Sequence, residues 1–274
     1  MDSQELQLSP KHQAFMDRFV AACQADDRVV AAFVGGSYAK GTADAFSDLD
    51  LSLITTDAAY EAFFADRAAF LQQLGTLVFL ENFGLPKMVF FIFSDDSEGE
   101  LWFGSESQLD HIHSGPYRVL LDKKRILAQA AFPEQEPTQA EQSEILRRQI
   151  TWFWHDLSHF STAIGRGQLW WAHGQLEALR VYCINLARLR QNFLDGDVGS
   201  EAYWKLEQAF AVAQLAPLQA TYCPLERGAM LQAALAIVQF YQELAQSLTR
   251  AHGIAYPAAL ERVMLDRLDK LKTV

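Results

Sequence analysis

The chain has 274 residues, of which 50% are hydrophobic and 21% are charged, and its formal net charge at pH 7 is −11. This composition is typical of a folded protein long enough for two domains, and it excludes an intrinsically disordered chain. No apolar run approaches the roughly eighteen residues that span a bilayer, the first residues lack a signal-peptide pattern, and the three cysteines lack C-x-x-C spacing, so we expect a cytoplasmic protein with reduced thiols.

The first half of the chain alternates between predicted helices and strands. Apolar residues at helical spacing predict a helix over residues 11–24, and a β-branched run at 28–34 predicts a strand that ends at a double glycine. We expect a second strand at 48–54 and a helix at 57–74 that begins with Asp57 as its cap. Aromatic or β-branched runs between turn residues predict four more short strands, at 76–80, 87–93, 99–103 and 117–121. These elements predict a mixed sheet with helices on one face.

A polar stretch bracketed by Pro133 and Pro137 interrupts this pattern, because neither a helix nor a central strand continues through it. We therefore predict two domains, 1–132 and 138–274, joined by a linker at 133–137.

The second half reads as helices throughout. Thr138 and Glu141 have the spacing of a capping box that opens a long helix. Ser200 is the expected cap of a third helix, and two more are expected at 226–251 and 257–271. The first two helices each carry an apolar stripe that is expected to face the core. The stripe of the first consists of Leu146, Ile150, Phe153, Leu157, Phe160 and Ile164, and that of the second consists of Leu169, Leu176, Leu179, Cys183, Leu186 and Phe193. The second half is therefore predicted to be an all-helical bundle.

A glycine-rich turn followed by paired carboxylates is the most informative pattern in the chain. The turn Gly35-Gly36-Ser37 lets backbone N–H groups and a hydroxyl approach phosphate oxygens. Asp48 and Asp50 stand at i, i+2 at the mouth of an apolar strand, so both side chains point to the same face. Two carboxylates aimed at one point repel each other unless a cation lies between them, and such oxygen ligands suit Mg²⁺.

The run Gly36-Ser37-x-x-Lys40-Gly41-x5-Ser47-Asp48-x-Asp50 resembles the signature of the nucleotidyltransferase superfamily that includes DNA polymerase β and the antibiotic adenylyltransferases. Its lysine and its Ser-Asp pair are most similar to those of the aminoglycoside and lincosamide nucleotidyltransferases. The resemblance implies a polymerase-β-like α/β (α+β) domain with a mixed sheet, followed by a C-terminal all-α helical bundle. It also implies nucleotide-binding and metal-binding roles. The nucleotide-binding residues are Gly36, Ser37, Lys40 and Ser47, and the metal-binding residues are Asp48 and Asp50.

A third carboxylate from a neighbouring strand usually completes such a site. Residues 99–103 resemble the segment in which lincosamide nucleotidyltransferases carry a metal-binding glutamate, which makes Glu100 the candidate for metal binding and catalysis. Asp95 and Asp96 are the nearest alternatives. Whether Glu100 binds the metal, acts as general base or does both stays open, since both roles need a carboxylate at the same centre.

The acceptor is expected in a cleft between the domains, where ligand sites often form. Trp152, Asp156 and His159 follow i, i+4, i+7 on a helix face separate from the apolar stripe, and an aromatic ring beside an acid suits a cationic ring compound. Solvent-facing or inter-helix contacts are the commoner explanation of such a face. Glu177 and Arg180 are second candidates, with a surface i, i+3 ion pair as the alternative.

Two histidine patterns resemble metal-binding motifs, but each lacks one residue of such a motif. His155 and His159 match the spacing of zinc ligands on a helix, yet no glutamate follows the first of them as in metalloproteases. Asp110, His111 and His113 lack a matching ligand downstream, so we interpret that segment as a polar loop. Neither pattern by itself predicts a metal site.

The negative charge is concentrated in the first half, where residues 1–137 hold 21 acidic and 10 basic side chains, against 13 of each in residues 138–274. An acidic surface repels the nucleic-acid backbone and attracts cations. The charge thus disfavours a DNA or RNA partner and favours a cationic small molecule, although acidity that serves only solubility explains it equally well.

The resemblance implies Mg²⁺-dependent transfer of a nucleoside monophosphate from ATP or another NTP to a hydroxyl of a small antibiotic, with release of pyrophosphate. AMP is the favoured nucleoside monophosphate. For the acceptor, chain length and the segment around Glu100 favour a lincosamide, whereas the acidic charge favours an aminoglycoside. Relatives of this size often form homodimers, and no membrane partner is expected. Two other hypotheses stay open: an enzyme that adenylylates a protein, and a non-catalytic nucleotide-binding regulatory module.

Overall fold

A computed structural model of the chain describes residues 9–195 and 201–272. The chain divides into two compact units, Met1–Glu134 and Gln135–Val274. This division falls within the linker predicted at 133–137, while the domain limits 1–132 and 138–274 stay a prediction. Over the described residues, no helix combines the length and the apolar character that crossing a membrane requires.

The first unit is built around a six-stranded sheet. Its strands are β1 (Val29–Val34), β2 (Leu49–Thr55), β3 (Leu77–Glu81), β4 (Met88–Phe93), β5 (Glu98–Ser105) and β6 (Arg118–Asp122). Its helices are α1 (Pro10–Ala25), α2 (Gly36–Lys40), α3 (Tyr60–Ala65) and α4 (Arg67–Gln72), with 3₁₀ turns at Asp57–Ala59 and Glu106–His111. The strand order is β3-β4-β5-β2-β1-β6. Strands β2 and β5 pair in parallel and the other described neighbours pair antiparallel, so the predicted mixed sheet is confirmed.

Helices α1, α3 and α4 supply the apolar cover of one face of this sheet. Helix α1 begins at a proline, and the Ser9 hydroxyl accepts a hydrogen bond from the His12 backbone N–H as its cap. The core on this face joins side chains of these helices to alternate residues of the strands, and its helical members are Phe15, Met16, Phe19, Cys23, Phe63, Phe70 and Leu71. The residues between them along β2 point to the opposite face, which leaves Asp50 on the side away from α1.

The helix predicted at 57–74 is divided, and the prediction that Asp57 caps it is wrong. The Asp57 carboxylate instead accepts hydrogen bonds from the backbone N–H and the hydroxyl of Ser107, at 3.0 and 2.8 Å. The break between α3 and α4 lies at Asp66, whose carboxylate pairs with Arg28 at 2.7 Å. Both contacts involve partners distant in the sequence, which local periodicity does not contain.

The second unit is helical throughout its described residues, as predicted. Its helices are α5 (Gln139–Gly165), α6 (Leu169–Gln191), α7 (Leu206–Ala209), α8 (Val212–Gln219), α9 (Arg227–Ala251) and α10 (Ala258–Leu271), with a 3₁₀ turn at Phe193–Asp195. The predicted capping box of α5 is confirmed, since the Thr138 hydroxyl and the Glu141 carboxylate each accept the other residue's backbone N–H. All six stripe residues of α5 are buried. In the α6 stripe, Leu169 and Phe193 are only partly buried.

In place of the third helix predicted after Ser200, the described residues form a turn at 202–205 and the helices α7 and α8. The sequence missed α7 and α8, because elements of four and eight residues are too short for a clear apolar period. The cap predicted at Ser200 lies outside the described residues. Cys23 and Cys183 are buried and Cys223 is partly buried, and the structure pairs none of these three thiols in a disulfide.

Candidate active site

The glycine turn of the sequence forms the start of a short helix. Strand β1 ends at Val34, and the Gly35 N–H donates to the backbone carbonyl of Asp50 at 2.8 Å. Gly36, the first residue of α2, has a φ of +53°, a region that glycine enters without strain. After α2, Gly41 at φ +71° turns the chain back toward the start of β2. This geometry fixes α2 beside the strand that carries the paired acids.

Gly36 is in direct contact with the Asp50 carboxylate. A Cβ atom built on Gly36 would lie 1.6 Å from Asp50 Oδ2 and 2.5 Å from its Cγ, so the carboxylate occupies the space that a side chain would fill. The missing side chain therefore lets the Asp50 carboxylate and the backbone of α2 share one small volume.

The hydroxyl of Ser37 lies next in sequence to this contact. Its oxygen is buried and has no hydrogen-bond partner among the residues that the structure describes. A buried hydroxyl without a partner is unfavourable by about 1–3 kcal/mol, and it therefore fits a site that a polar ligand completes. A phosphate oxygen is a suitable acceptor for this donor.

Asp50 and Glu100 are opposite each other in the parallel ladder of β2 and β5. Residues in register on neighbouring strands point to the same face, about 4.8 Å apart along the hydrogen-bonding direction. Trp102, two residues further along β5, donates its Nε1–H to Glu100 Oε2 at 3.2 Å and so orients that carboxylate. The sheet thus places two acids from separate segments side by side.

Asp48 lies just before β2 and is exposed. Burial raises the pKa of the Tyr38 hydroxyl, and the charges of Asp44 and Asp48 raise it further, which places Asp48 within electrostatic range of α2. The oxygens of Asp48, Asp50 and Glu100 do not form a group within 4.8 Å, since the described residues contain one such group and it lies elsewhere. Like-charged carboxylates repel each other, which opposes their convergence. Carboxylate oxygens are nevertheless the ligands that Mg²⁺ prefers, and the Ser37 hydroxyl is a donor that suits a phosphate.

The two remaining predicted nucleotide residues differ in their surroundings. Lys40 is exposed in the last turn of α2. The Ser47 hydroxyl accepts the backbone N–H of Asp44 at 2.9 Å and lies 3.3 Å from its carboxylate. Ser47 therefore stabilises the turn that leads into β2.

Arg118 on β6 is a neighbour of α2 that sequence analysis missed. It is opposite Val34 in the ladder, and its Nε lies 3.5 Å from the carbonyl oxygen of Ala39. Its Nη2 also lies 3.6 Å from the position of a Cβ on Gly41. Only the pairing of β6 with β1 brings this guanidinium near the glycine turn, and no local sequence signal contained that pairing.

His12 and Tyr38 connect α1 to α2, and sequence analysis missed this pair as well. Both side chains are buried, the His12 Nδ1 and the Tyr38 hydroxyl share a hydrogen bond, and their rings meet edge to face at 5.6 Å. Burial lowers the pKa of His12 below its ordinary value, with the charge of Lys11 as the second cause. The pair anchors the short helix against the core.

The alternatives to Glu100 are engaged at the turn between β4 and β5. Asp95 pairs with Arg18 at 2.9 Å, and exposed Asp96 lies 3.5 Å from Lys11.

In the segment around Asp110 that the sequence predicts to be a polar loop, residues 106–111 form a 3₁₀ turn. His113 beyond it packs so closely that a Cβ on Gly35 would lie 2.8 Å from its Cε1.

The candidates of the second unit separate into an open surface and an ion pair in which one partner is buried. Trp152 is exposed, while Asp156 and His159 are partly buried on the same side of α5. Arg180 is only 1% exposed and pairs with Glu177 at 2.6 Å. Its guanidinium also donates to the Thr221 hydroxyl and carbonyl at 2.9 and 3.0 Å, which gives it a structural role.

Comparison with known proteins identifies the family. A family model described as streptomycin adenylyltransferase matches residues 10–271. Among solved structures, an aminoglycoside 6-adenyltransferase from Bacillus subtilis is similar, with 13% sequence identity and a TM-score of 0.42 over 97% of this chain and 100% of that one. No curated protein matches the chain. Because the family model spans nearly the whole sequence, the chain belongs to the streptomycin adenylyltransferase family, and it is a nucleotidyltransferase, as predicted.

Proposed function

We propose that this enzyme transfers AMP from ATP to a hydroxyl of an aminoglycoside, in the presence of Mg²⁺, and releases pyrophosphate. The observation that carries the proposal is the packing of the Asp50 carboxylate, opposite Glu100, on Gly36, the residue before Ser37 with its buried, unpartnered hydroxyl. Consecutive residues of α2 thus bring in an acid that suits a cation and a donor that suits a phosphate. A triphosphate with its bound cation needs both groups in one place.

Asp48, Asp50 and Glu100 would hold Mg²⁺, which when bound neutralises the charge of the triphosphate. The Ser37 hydroxyl donates a hydrogen bond to a phosphate oxygen, and the missing side chain of Gly36 lets the backbone of α2 approach it.

Two cations near α2 complement the negative charge of the triphosphate. Lys40 lies in the last turn of α2, and Arg118 lies alongside the helix. Each places positive charge where phosphate oxygens would lie, and a guanidinium can contact two oxygens at once.

Glu100 is the proposed general base, and it accepts the proton of the attacking hydroxyl. A base must be held within hydrogen-bond reach of that proton, so a fixed carboxylate orientation is required. The hydrogen bond from Trp102 Nε1 to one oxygen of Glu100 supplies this orientation and leaves the other oxygen to serve the ion and the attacking hydroxyl. Trp102 is therefore a positioning residue.

The charge of the chain and the family description support an aminoglycoside as acceptor. The acidic half of the sequence favours a polycationic compound, and the description of the matching family names streptomycin, an aminoglycoside. A lincosamide is the second candidate acceptor. The protein-directed alternative is less favoured, because such enzymes often pair a minimal domain with a separate chain, whereas the helical unit is fused here.

The test incubates the protein with Mg²⁺ and each triphosphate, together with aminoglycosides, lincosamides or a protein lysate. Mass spectrometry then reads the products. We expect an AMP adduct on an aminoglycoside from ATP. An adduct on a lincosamide only would overturn the aminoglycoside assignment, and an adduct confined to a protein would favour the protein-directed alternative.

Four variants test the residue assignment. Asp50→Asn should lower turnover by about 10²–10³-fold and Glu100→Gln by about 10²–10⁴-fold. Glu98→Gln, two residues before Glu100 on the same strand, and Glu61→Gln, an exposed acid of α3, should retain wild-type turnover. Loss of turnover in Glu98→Gln with retention in Glu100→Gln would assign the third carboxylate to Glu98.

The homodimer stays a prediction. Several tryptophans of the second unit are exposed, among them Trp152, Trp170 and Trp204, and such side chains are enriched in interfaces. Sedimentation equilibrium of the full chain measures its mass, and a monomer at micromolar concentration would contradict the prediction.

A further inference from the structure

The second unit contains a compact group of metal-ligating side chains on one turn of α5. His155, Asp156 and His159 each offer a ligand atom, and these atoms all lie within 4.8 Å of one another. The two imidazole rings have their centroids 4.3 Å apart, and His155 Nδ1 lies 2.8 Å from Asp156 Oδ1. This is the sole group of its kind within residues 9–195 and 201–272.

The carboxylate at the centre of this group is held by the neighbouring helix. Tyr182 of α6 donates its hydroxyl to Asp156 Oδ2 at 2.9 Å, and the Asp156 side chain is only 14% exposed. With its amide oriented so that both ends are paired, Gln175 donates to the Asp156 carbonyl and accepts from Trp171 Nε1, each at 3.3 Å. Packing from α6 thus fixes the acid, and Oδ1, which is not bound to Tyr182, contacts His155 Nδ1.

The donor set differs from that of the first unit. Two imidazoles and one carboxylate suit Zn²⁺ and related transition-metal ions, whereas sets of carboxylates alone suit Mg²⁺. The Tyr182 hydroxyl occupies the position of the outer hydrogen-bond partner that metal-ligating carboxylates usually have. The spacing of the two histidines alone did not predict a metal site, because no glutamate follows the first histidine. Asp156, the residue directly after the first histidine, offers a carboxylate oxygen to the same group.

We propose that His155, Asp156 and His159 form a Zn²⁺ site on α5. One nitrogen of each imidazole and Asp156 Oδ1 bind the ion, Tyr182 holds Oδ2, and water takes the fourth position of a tetrahedral site. Since 48% of the His155 side chain is exposed, the ion can enter from solvent. The proposal concerns the second unit alone and does not rest on the proposed transfer reaction.

A simple ion pair between His155 and Asp156 is the competing explanation. It uses one imidazole and one carboxylate oxygen, and it gives His159 no role. A metal site needs His159 as much as His155. Removing His159 therefore separates the two explanations.

The test measures Zn²⁺ binding to the metal-free full chain by calorimetry, in excess Mg²⁺ so that carboxylate-only sites are occupied. Co²⁺ as a probe gives a visible absorption spectrum that reports the coordination geometry. The matched control is His173→Ala, which removes an exposed histidine of α6 outside the group. Thermal melts of every variant confirm that each one is folded.

We expect one Zn²⁺ per chain and a tetrahedral Co²⁺ spectrum. His159→Ala and Asp156→Asn should weaken Zn²⁺ binding by about 100-fold or more, and Tyr182→Phe by about 10–100-fold. His173→Ala should bind as the wild type does. Absence of Zn²⁺ binding, unchanged binding in His159→Ala, or an equal loss in His173→Ala would each overturn the proposal. Saturable streptomycin binding without Zn²⁺ binding, lost in Asp156→Asn, would assign the surface to the acceptor instead.

Discussion

Replacing Gly36 with alanine tests the contact between α2 and the Asp50 carboxylate. The substitution has two separable consequences. At a φ of +53° an alanine has an unfavourable left-handed backbone conformation, which costs about 1–2 kcal/mol. Its Cβ would also lie 1.6 Å from Asp50 Oδ2, a distance that real Cβ contacts do not reach, so the carboxylate must move by more than about 1 Å. A misplacement of that size costs about 100-fold in rate.

Gly84→Ala is the matched control, because Gly84 has a φ of +80° and nothing lies within 4 Å of its Cβ position. Both variants should lose about 1–2 kcal/mol in the free energy of unfolding, measured by urea denaturation. In pyrophosphate release with ATP, Mg²⁺ and streptomycin, only Gly36→Ala should fall by about 100-fold or more. If folded Gly36→Ala turns over at the rate of Gly84→Ala, the packing of Asp50 on Gly36 has no catalytic importance.

Three further substitutions test the fold around and beyond the site. Gly99→Ala should lower the free energy of unfolding by about 1–3 kcal/mol, since its Cβ would lie 2.2 Å from the Leu49 carbonyl oxygen and would push β5 away from β2. Thr221→Val removes the hydroxyl that accepts from Arg180 Nε and should cost about 1.5–3 kcal/mol in urea denaturation. His12→Gln tests the pH dependence of stability. Burial lowers the pKa of His12 in the folded chain below 6.5, so the contribution of the neutral ring to stability is complete above pH 6.5 and is lost as the pH falls from there through the lowered pKa. Below about pH 6.5 the wild type should therefore lose stability faster than His12→Gln, by up to about 1.4 kcal/mol per pH unit.

Each of these three predictions has an outcome that contradicts it. For the first, unchanged stability of Gly99→Ala would mean that the strands separate without cost. For the second, Thr151→Val is the control at an exposed threonine. If Thr151→Val loses as much free energy of unfolding as Thr221→Val does, the hydrogen bond to the buried Arg180 guanidinium has no special importance. For the third, parallel stability curves of the wild type and His12→Gln would show that His12 protonates equally well in the folded and unfolded chain.

Local patterns in the sequence were sufficient to predict most helices and strands of both units. Apolar periodicity predicted α5 with its buried stripe, and the capping box at Thr138 marked the start of that helix to the residue. Side-chain alternation predicted that Asp50 faces away from the core of β2, and the structure places it there. These features depend on neighbours within a few residues along the chain, and such neighbours are present in the sequence itself.

Features that depend on distant partners could not be predicted. The break in the helix at 57–74 lies where Asp66 pairs with Arg28, and Arg118 reaches α2 only through the pairing of β6 with β1. The resemblance selected Glu100, yet the register that sets it opposite Asp50 depends on β2 and β5 lying side by side. The same holds for Tyr182, which holds Asp156 from another helix.

Gly99 shows how the sheet brings the acids of the site together. Glycine inside a strand is unfavourable, because it has no side chain to pack and loses more conformational freedom on folding. At this position, however, any Cβ would collide with the backbone of Leu49, so glycine is what allows β5 to approach β2 closely one residue before Glu100. Gly36 does the same from the other side, where the space of its missing side chain holds the Asp50 carboxylate. Two glycines, one in a helical turn and one in a strand, thus allow the close approaches around Asp50 and Glu100, and a methyl group at either should displace an acid as well as lower stability.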